Sequence, residues 1–231
     1  MLFCSTASGL MMLKVRSTAM WLLLVGRISS AFWLLGNSII NTGCANINSV
    51  RFAFERLGQN PTVITSPEQL AGYERAILPG VGHASVAMKR LVDNGWQQAI
   101  NEYQRPLMGI CLGMQLLCES TEEGNVQCLG KIPGQVKSLD VGSLTSPHMG
   151  WNNLSVQQAH PLTQGLHADD QVYYVHSFAH TVNNATLVSS EYGQTFSAIV
   201  AKDNYAGMQF HPERSAKVGT RLLQNFIDWQ L

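Results

Sequence analysis

An open α/β fold built on a largely parallel sheet is what this sequence predicts, and three observations predict it. Between Ser38 and Leu117, short apolar runs alternate with segments that repeat apolar residues at helical spacing. Glycine-bearing turns follow two of those runs, at Asn41-Thr42-Gly43-Cys44-Ala45-Asn46 and at Pro79-Gly80-Val81-Gly82. Beyond Gly124 the apolar runs continue without helices between them. Repeated β-α units need parallel strands covered by helices on both faces, and helix-free runs favour additional antiparallel strands.

Taken in order, Ser38-Ile39-Ile40 reads as a short first strand, and Ser49 as the cap of a helix carrying Val50, Ala53, Phe54 and Leu57, closed by Gly58. Upstream of Ile39 the residues do not continue the strand. Thr62-Val63-Ile64 is a second strand, Pro67 to Tyr73 a short helix, and Ala76-Ile77-Leu78 a third strand. Val86–Leu91 and Trp96–Tyr103 supply helical segments, and Leu107–Ile110 a buried strand that runs into a helix from Leu112 to Glu119. Strand-like runs follow at Gln135–Leu139, Asn153–Val156, Val172–Val175, Thr186–Val188 and Phe196–Val200. A final helix over about 216–229 carries the apolar stripe Val218, Leu222, Leu223, Phe226 and Ile227.

Residues 1–36 differ from this pattern and are set apart from a main domain of residues 37–231. No acidic residue precedes Glu55, and Lys14, Arg16 and Arg27 flank the apolar run from Ala19 to Gly26. A signal peptide, a transit peptide and an extension from an early-assigned start all fit, and the run is too short to span a bilayer. Composition narrows the rest. The formal net charge is zero with no Lys/Arg run, which leaves no electrostatic footprint for nucleic acid. Five cysteines without CxxC spacing suggest neither a disulfide framework nor a zinc site, and point to a reducing compartment. No spacing implies a metal or an organic cofactor.

The stretch with chemical content is Gly109-Ile110-Cys111-Leu112-Gly113. A strand that turns directly into a helix, with small residues two before and two after the turn residue, has the spacing of a nucleophile elbow. The side chain lifted here is the Cys111 thiol, placed where a helix start favours the thiolate. Such a thiol needs a base. Of seven histidines, His211 stands at the end of an apolar run and before Pro212, which favours extended backbone. Residues two apart in extended chain point the same way, so Glu213 can hold one ring nitrogen of His211 and leave the other for the thiol. The expected triad is Cys111, His211 and Glu213. His83, His148, His160, His167 and His180 read as structural or surface residues.

These residues carry a resemblance. The elbow together with His211-Pro212-Glu213 resembles the signatures of class I glutamine amidotransferases. Pro147-His148-Met149-Gly150-Trp151-Asn152, Tyr174-Val175-His176-Ser177 and Phe210-His211-Pro212-Glu213-Arg214-Ser215 resemble, within that class, the glutaminase subunits of imidazole glycerol phosphate synthase. The likeness runs from about Ile39 to the C-terminus. It implies a flavodoxin-like open sheet and hydrolysis of L-glutamine through a γ-glutamyl thioester. An oxyanion hole follows from Leu112 N-H and the Gly80-Val81 turn, each donor worth about 3 kcal/mol of barrier. The resemblance further implies glutamine binding by Gln115, Glu123, His176 and Ser177. It implies a heterodimer with a cyclase subunit, met through Asn46, Trp151 and Arg214, in the cytoplasm, without nucleic acid or membrane. Trp151 buried in the core is the alternative for that residue. The rival functions are the glutaminase of another amidotransferase, such as pyridoxal phosphate synthase, a non-catalytic subunit that kept the fold, and a thiol peptidase or γ-glutamyl hydrolase.

Overall fold

The computed structural model describes residues 35–43 and 46–231, so the apolar run at 19–26, the remainder of residues 1–34 and the turn residues Cys44 and Ala45 lie outside it. The first half is a chain of β-α units: β1 (Leu35–Ile40), α1 (Ile47–Glu55), β2 (Thr62–Ile64), a 3-10 turn (Pro67–Gly72), β3 (Tyr73–Gly80), α2 (Ala84–Asp93), α3 (Trp96–Glu102), β4 (Leu107–Cys111) and α4 (Leu112–Leu117). The second half is mostly strand: β5 (Ser120–Thr121), β6 (Val126–Gln127), β7 (Gln135–Ser138), β8 (His148–Asn153), β9 (Ser155–Val156), β10 (Gln171–His176), β11 (Phe178–His180), β12 (Thr186–Tyr192), β13 (Gln194–Lys202) and β14 (Tyr205–Met208). Helix α5 (Ala216–Asp228) closes the chain.

The main sheet has the order β2-β1-β3-β4-β14-β13-β12-β9. Its first five strands are parallel and the last three antiparallel. Period-two alternation sorts its side chains onto two apolar faces. Ile39, Ile77 and Met108 pack with Phe54 of α1 and Leu222, Leu223 and Phe226 of α5, while Ile40, Leu78 and Leu107 pack with Met88 and Leu91 of α2 and Trp96 and Ile100 of α3. Each such fully buried side chain contributes about 1.5–3 kcal/mol. Beside this sheet lie a four-stranded sheet, β11-β7-β5-β6, and the antiparallel ribbon β10-β8.

Two local expectations are corrected. The first strand begins at Leu35, which pairs with Tyr73, rather than at Ser38. Hydrophobic pattern hid this, because Asn37 and Ser38 are buried yet polar: Asn37 donates to Gln59 Oε1 at 2.9 Å and Ser38 Oγ donates to the Arg75 carbonyl at 3.1 Å. The cap of α1 is Asn46, not Ser49. Its Oδ1 accepts the Ser49 N-H at 3.4 Å, so Ser49 lies inside the first turn. The central strands β3, β4 and β14 end together, in register from Leu78 to Gly109 to Gly207, and the expected site residues lie past their carboxyl ends.

Candidate active site

Cys111 ends β4 and caps α4 with φ 54° and ψ −113°, a left-handed conformation that a residue with a Cβ adopts only under strain. Its flanking glycines permit that bend. A Cβ on Gly109 would fall 2.4 Å from Met114 N, and one on Gly113 would fall 1.8 Å from the Leu78 carbonyl oxygen, so both positions exclude any side chain. Gly80 is packed under the same turn, where a Cβ would meet Gly113 N at 2.6 Å. β3 and the elbow are pressed backbone to backbone, which fixes the thiol at the mouth of the sheet.

The thiol opens into a pocket of about 290 Å³ lined by Val81, Gly82, Leu112, Gln115, Glu123, Val175, His176, Ser177, Phe178 and His211. That is the small end of the ligand-site range and suits a free amino acid. His211 lies three residues past the end of β14. Its Nδ1 lies 2.8 Å from Glu213 Oε1, and the other carboxylate oxygen, Oε2, is buried without a protein partner, so the whole acceptor strength of the carboxylate falls on the imidazole. Burial acts against the imidazolium, but hydrogen bonds to Cys111 and Glu213 and the charges of both groups overcome it and push the His211 pKa up to about 10. The sulfur therefore faces a ring that is protonated at neutral pH.

The other expected site residues divide into groups. Leu112, at the start of α4, and Val81 line the pocket, whereas Gly80 lies beneath the elbow and contributes the peptide leading into Val81. Gln115 Nε2 donates to the Phe178 carbonyl at 2.9 Å and to Gln209 Oε1 at 3.0 Å. Both amide protons are thus engaged, and what Gln115 can offer a substrate is its Oε1 acceptor. Glu123 lines the pocket while its Oε2 accepts the Ala84 N-H at 2.8 Å, at the start of α2. His176 is buried and Ser177 half-buried in the pocket wall. Asn46, Trp151 and Arg214 are exposed. Trp151 is 51% exposed and meets Tyr173 edge-on, with Arg214 Cζ 5.7 Å from the same ring, so the core alternative for Trp151 is overturned. Period two along β8 sends His148 inward and Met149 and Trp151 outward with Gly150 between them. Among the described residues, no group of three or more His, Cys, Asp or Glu is placed to hold a metal ion, and no helix is long and apolar enough to cross a membrane.

Against known proteins, the family model "Glutamine amidotransferase class-I" matches residues 38–229. The chain belongs to that family. Among class I glutamine amidotransferases it is 49% identical over 196 residues to the imidazole glycerol phosphate synthase subunit HisH of Vibrio cholerae serotype O1, spanning 82% of this chain and 97% of that one. It is 46% identical to the subunit of the same name in Idiomarina loihiensis, spanning 84% and 97%. At that identity and coverage the amidotransferase is the glutaminase subunit of imidazole glycerol phosphate synthase, an enzyme of histidine biosynthesis. A solved glutamine amidotransferase, 18% identical over 83% of this chain and 97% of its own, superposes with a TM-score of 0.66. PurLQS from Thermotoga maritima, 20% identical over 84% and 97%, gives 0.64. These two share the architecture of the class.

Two site features of this amidotransferase escape motif reading. Gln209 is wholly buried with Nε2 3.9 Å from Cys111 Sγ. A signal for it exists, because Gln209, His211 and Glu213 follow one another at period two. His148 is also buried, stacked between Tyr174 at 4.7 Å and Tyr192 at 4.0 Å, and nothing in its local sequence marks it as the hydrogen-bond partner of the pocket residue His176.

Proposed function

We propose that Cys111, His211 and Glu213 form the triad by which this glutaminase cleaves L-glutamine, and that the chain passes the ammonia to a cyclase subunit in a heterodimer. The Cys111 thiolate attacks the side-chain carboxamide carbon. His211, already charged, gives its proton to the departing ammonia, and Glu213 holds the ring through Nδ1 and stabilises its positive form. The neutral ring then takes a proton from the water that hydrolyses the γ-glutamyl thioester. Leu112 N-H and the Val81 N-H of the Gly80-Val81 peptide are the donors for the tetrahedral oxyanion. Glutamine's ammonium and amide are assigned to Gln115 Oε1, Glu123 and the main chain at His176 and Ser177.

The observation that carries this reading is that the strained Cys111 and His211 line one pocket with Glu213 2.8 Å from the far ring nitrogen, an arrangement whose hydrogen bonds and charges favour the imidazolium that the nucleophile and the leaving group require. Asn46, Trp151 and Arg214 are assigned to the face that meets the cyclase subunit, supported by the exposure of Trp151 and Met149 on one side of the ribbon. The amidotransferase domain is assigned residues 37–231 together with Leu35 and Gly36, the first two residues of β1, and residues 1–34 are left outside it. The cytoplasm is assigned as its compartment, because a nucleophilic thiol is kept reduced there. The test is ammonia release from glutamine by wild type and Cys111→Ala, alone and with the cyclase subunit. Turnover surviving in Cys111→Ala would overturn the triad, and equal turnover with and without the cyclase subunit would show that the partner does not activate the glutaminase.

A further inference from the structure

Two runs of hydrogen bonds, one from the exposed ribbon and one leading to the sulfur, meet at the Phe178 carbonyl oxygen, and the direction within each is fixed. The Phe178 carbonyl oxygen, which can only accept, lies 2.9 Å from His176 Nδ1, so that nitrogen carries the proton. Burial lowers the pKa of both His176 and His148 to about 4, and both rings are neutral at pH 7. A neutral His176 protonated on Nδ1 has a bare Nε2, and the His148 Nδ1 that stands 2.9 Å from it must be the donor. His148 Nε2 then accepts from Asn152 Nδ2 at 3.4 Å. Asn152 is itself pinned, with Nδ2 donating to the Glu191 carbonyl and Oδ1 accepting the Asn153 N-H, each at 2.8 Å.

From Phe178 inward the polarity is equally forced. Gln115 Nε2 gives one proton to the Phe178 carbonyl and the other to Gln209 Oε1. The Gln209 amide is thereby turned so that Nε2, and not its oxygen, faces Cys111 Sγ. Reversed, it would set two amide nitrogens against each other at Gln115 and an oxygen against the sulfur. We propose that Gln209 donates a hydrogen bond that steadies the Cys111 sulfur as thiolate, and that His148 and His176 are positioning residues that hold the Phe178 carbonyl where it orients the Gln115 amide and, through it, that of Gln209. The proposal rests on Cys111 being the nucleophile. The charged and titratable groups that line the pocket with that sulfur are His211, with Glu213 behind it, His176 in the facing wall and Glu123, and none of them supplies the bond that Gln209 makes.

The experiment measures iodoacetamide alkylation of Cys111 at pH 7 in the full chain, and kcat and KM for glutamine in its complex with the cyclase subunit. Gln209→Met keeps length and bulk without a donor. It should lower the alkylation rate and kcat each by about tenfold, the loss of one hydrogen bond to a charged group, with KM within about twofold. Where that variant does not fold, Gln209→Glu keeps the acceptor for Gln115 and removes the donor, and it should lose at least as much. His148→Phe keeps the ring stack and loses the donor, and should cost about threefold in both rates, while His148→Asn restores an N-H where Nδ1 stood and should recover them. A folded Gln209 variant with the wild-type alkylation rate overturns the proposal, and His148→Phe behaving like His148→Asn overturns the positioning role. If Cys111 in the wild type reacts no faster than the thiols of the denatured chain, the nucleophile assignment itself fails, an outcome distinct from either.

Discussion

Gly113 lies against the Leu78 carbonyl so closely that a single methyl group at Gly113 would sit 1.8 Å from that oxygen. Neither partner can yield, since one is a helix backbone and the other the central strand beside the thiol. Gly113→Ala should therefore cost about 3 kcal/mol of stability or more and abolish glutamine turnover. Gly72→Ala, where the structure offers open space and no left-handed φ, is the matched control and should leave both within error. Urea denaturation of the two variants checks this, and equal midpoints would show that the elbow is not pressed onto β3.

The His211 pKa near 10 has a definite sign in catalysis. The ring is charged below that value and neutral above it, so the acid that protonates ammonia is present through neutral pH and lost as pH rises through about 10. The high-pH decline of kcat/KM, which reports the free enzyme, should therefore not begin near 6.5, the value for an unperturbed histidine, but well above it. Alkylation of Cys111 should not decline with it, because a thiolate needs no acid. A kcat/KM profile falling between pH 6 and 7 would contradict the charged-ring assignment.

The elbow and the pairing of His211 with Glu213 were legible because their chemistry is local: two glycines around a cysteine, and a carboxylate two residues past a histidine. Cys111 and His211 lie a hundred residues apart, yet each motif marks itself. The alternation of β-α units was legible for the same reason, through apolar periodicity. What escaped depends on partners distant in sequence. Asn37 and Ser38 read as a strand end because the groups that satisfy them, Gln59 and the Arg75 carbonyl, cannot be seen from their own neighbourhood. β8 was recognised as a motif and not as a strand, since only one of its six residues is fully buried and a glycine interrupts it. β11 is three residues long and begins two residues after β10 ends, too short for a pattern to form.

Glu213 binds His211 through one oxygen at 2.8 Å while the other is buried and unpartnered. Glu213→Gln keeps the shape but removes the charge, and its amide can turn an N-H towards Nδ1, favouring the wrong tautomer. The expected loss in kcat is on the order of 10²–10⁴-fold with KM for glutamine little changed. A loss under threefold would reduce Glu213 to a spacer.

Trp151 offers the last test, because its exposure separates two explanations of one large side chain. Half of its surface is open, its ring contact is the edge of Tyr173, and it shares the outward side of β8 with Met149, 61% exposed. A ring so placed contributes little to the fold, so Trp151→Ala should change stability by no more than about 0.5 kcal/mol. An exposed aromatic anchor beside an arginine is, by contrast, the composition of an interface centre, where truncation costs about 2 kcal/mol or more, roughly a thirtyfold rise in Kd for the cyclase subunit. Calorimetric binding and thermal melts of the same variant read the two quantities apart. A melting point lowered by several degrees with unchanged Kd would make Trp151 a support of the fold and remove it from the docking face.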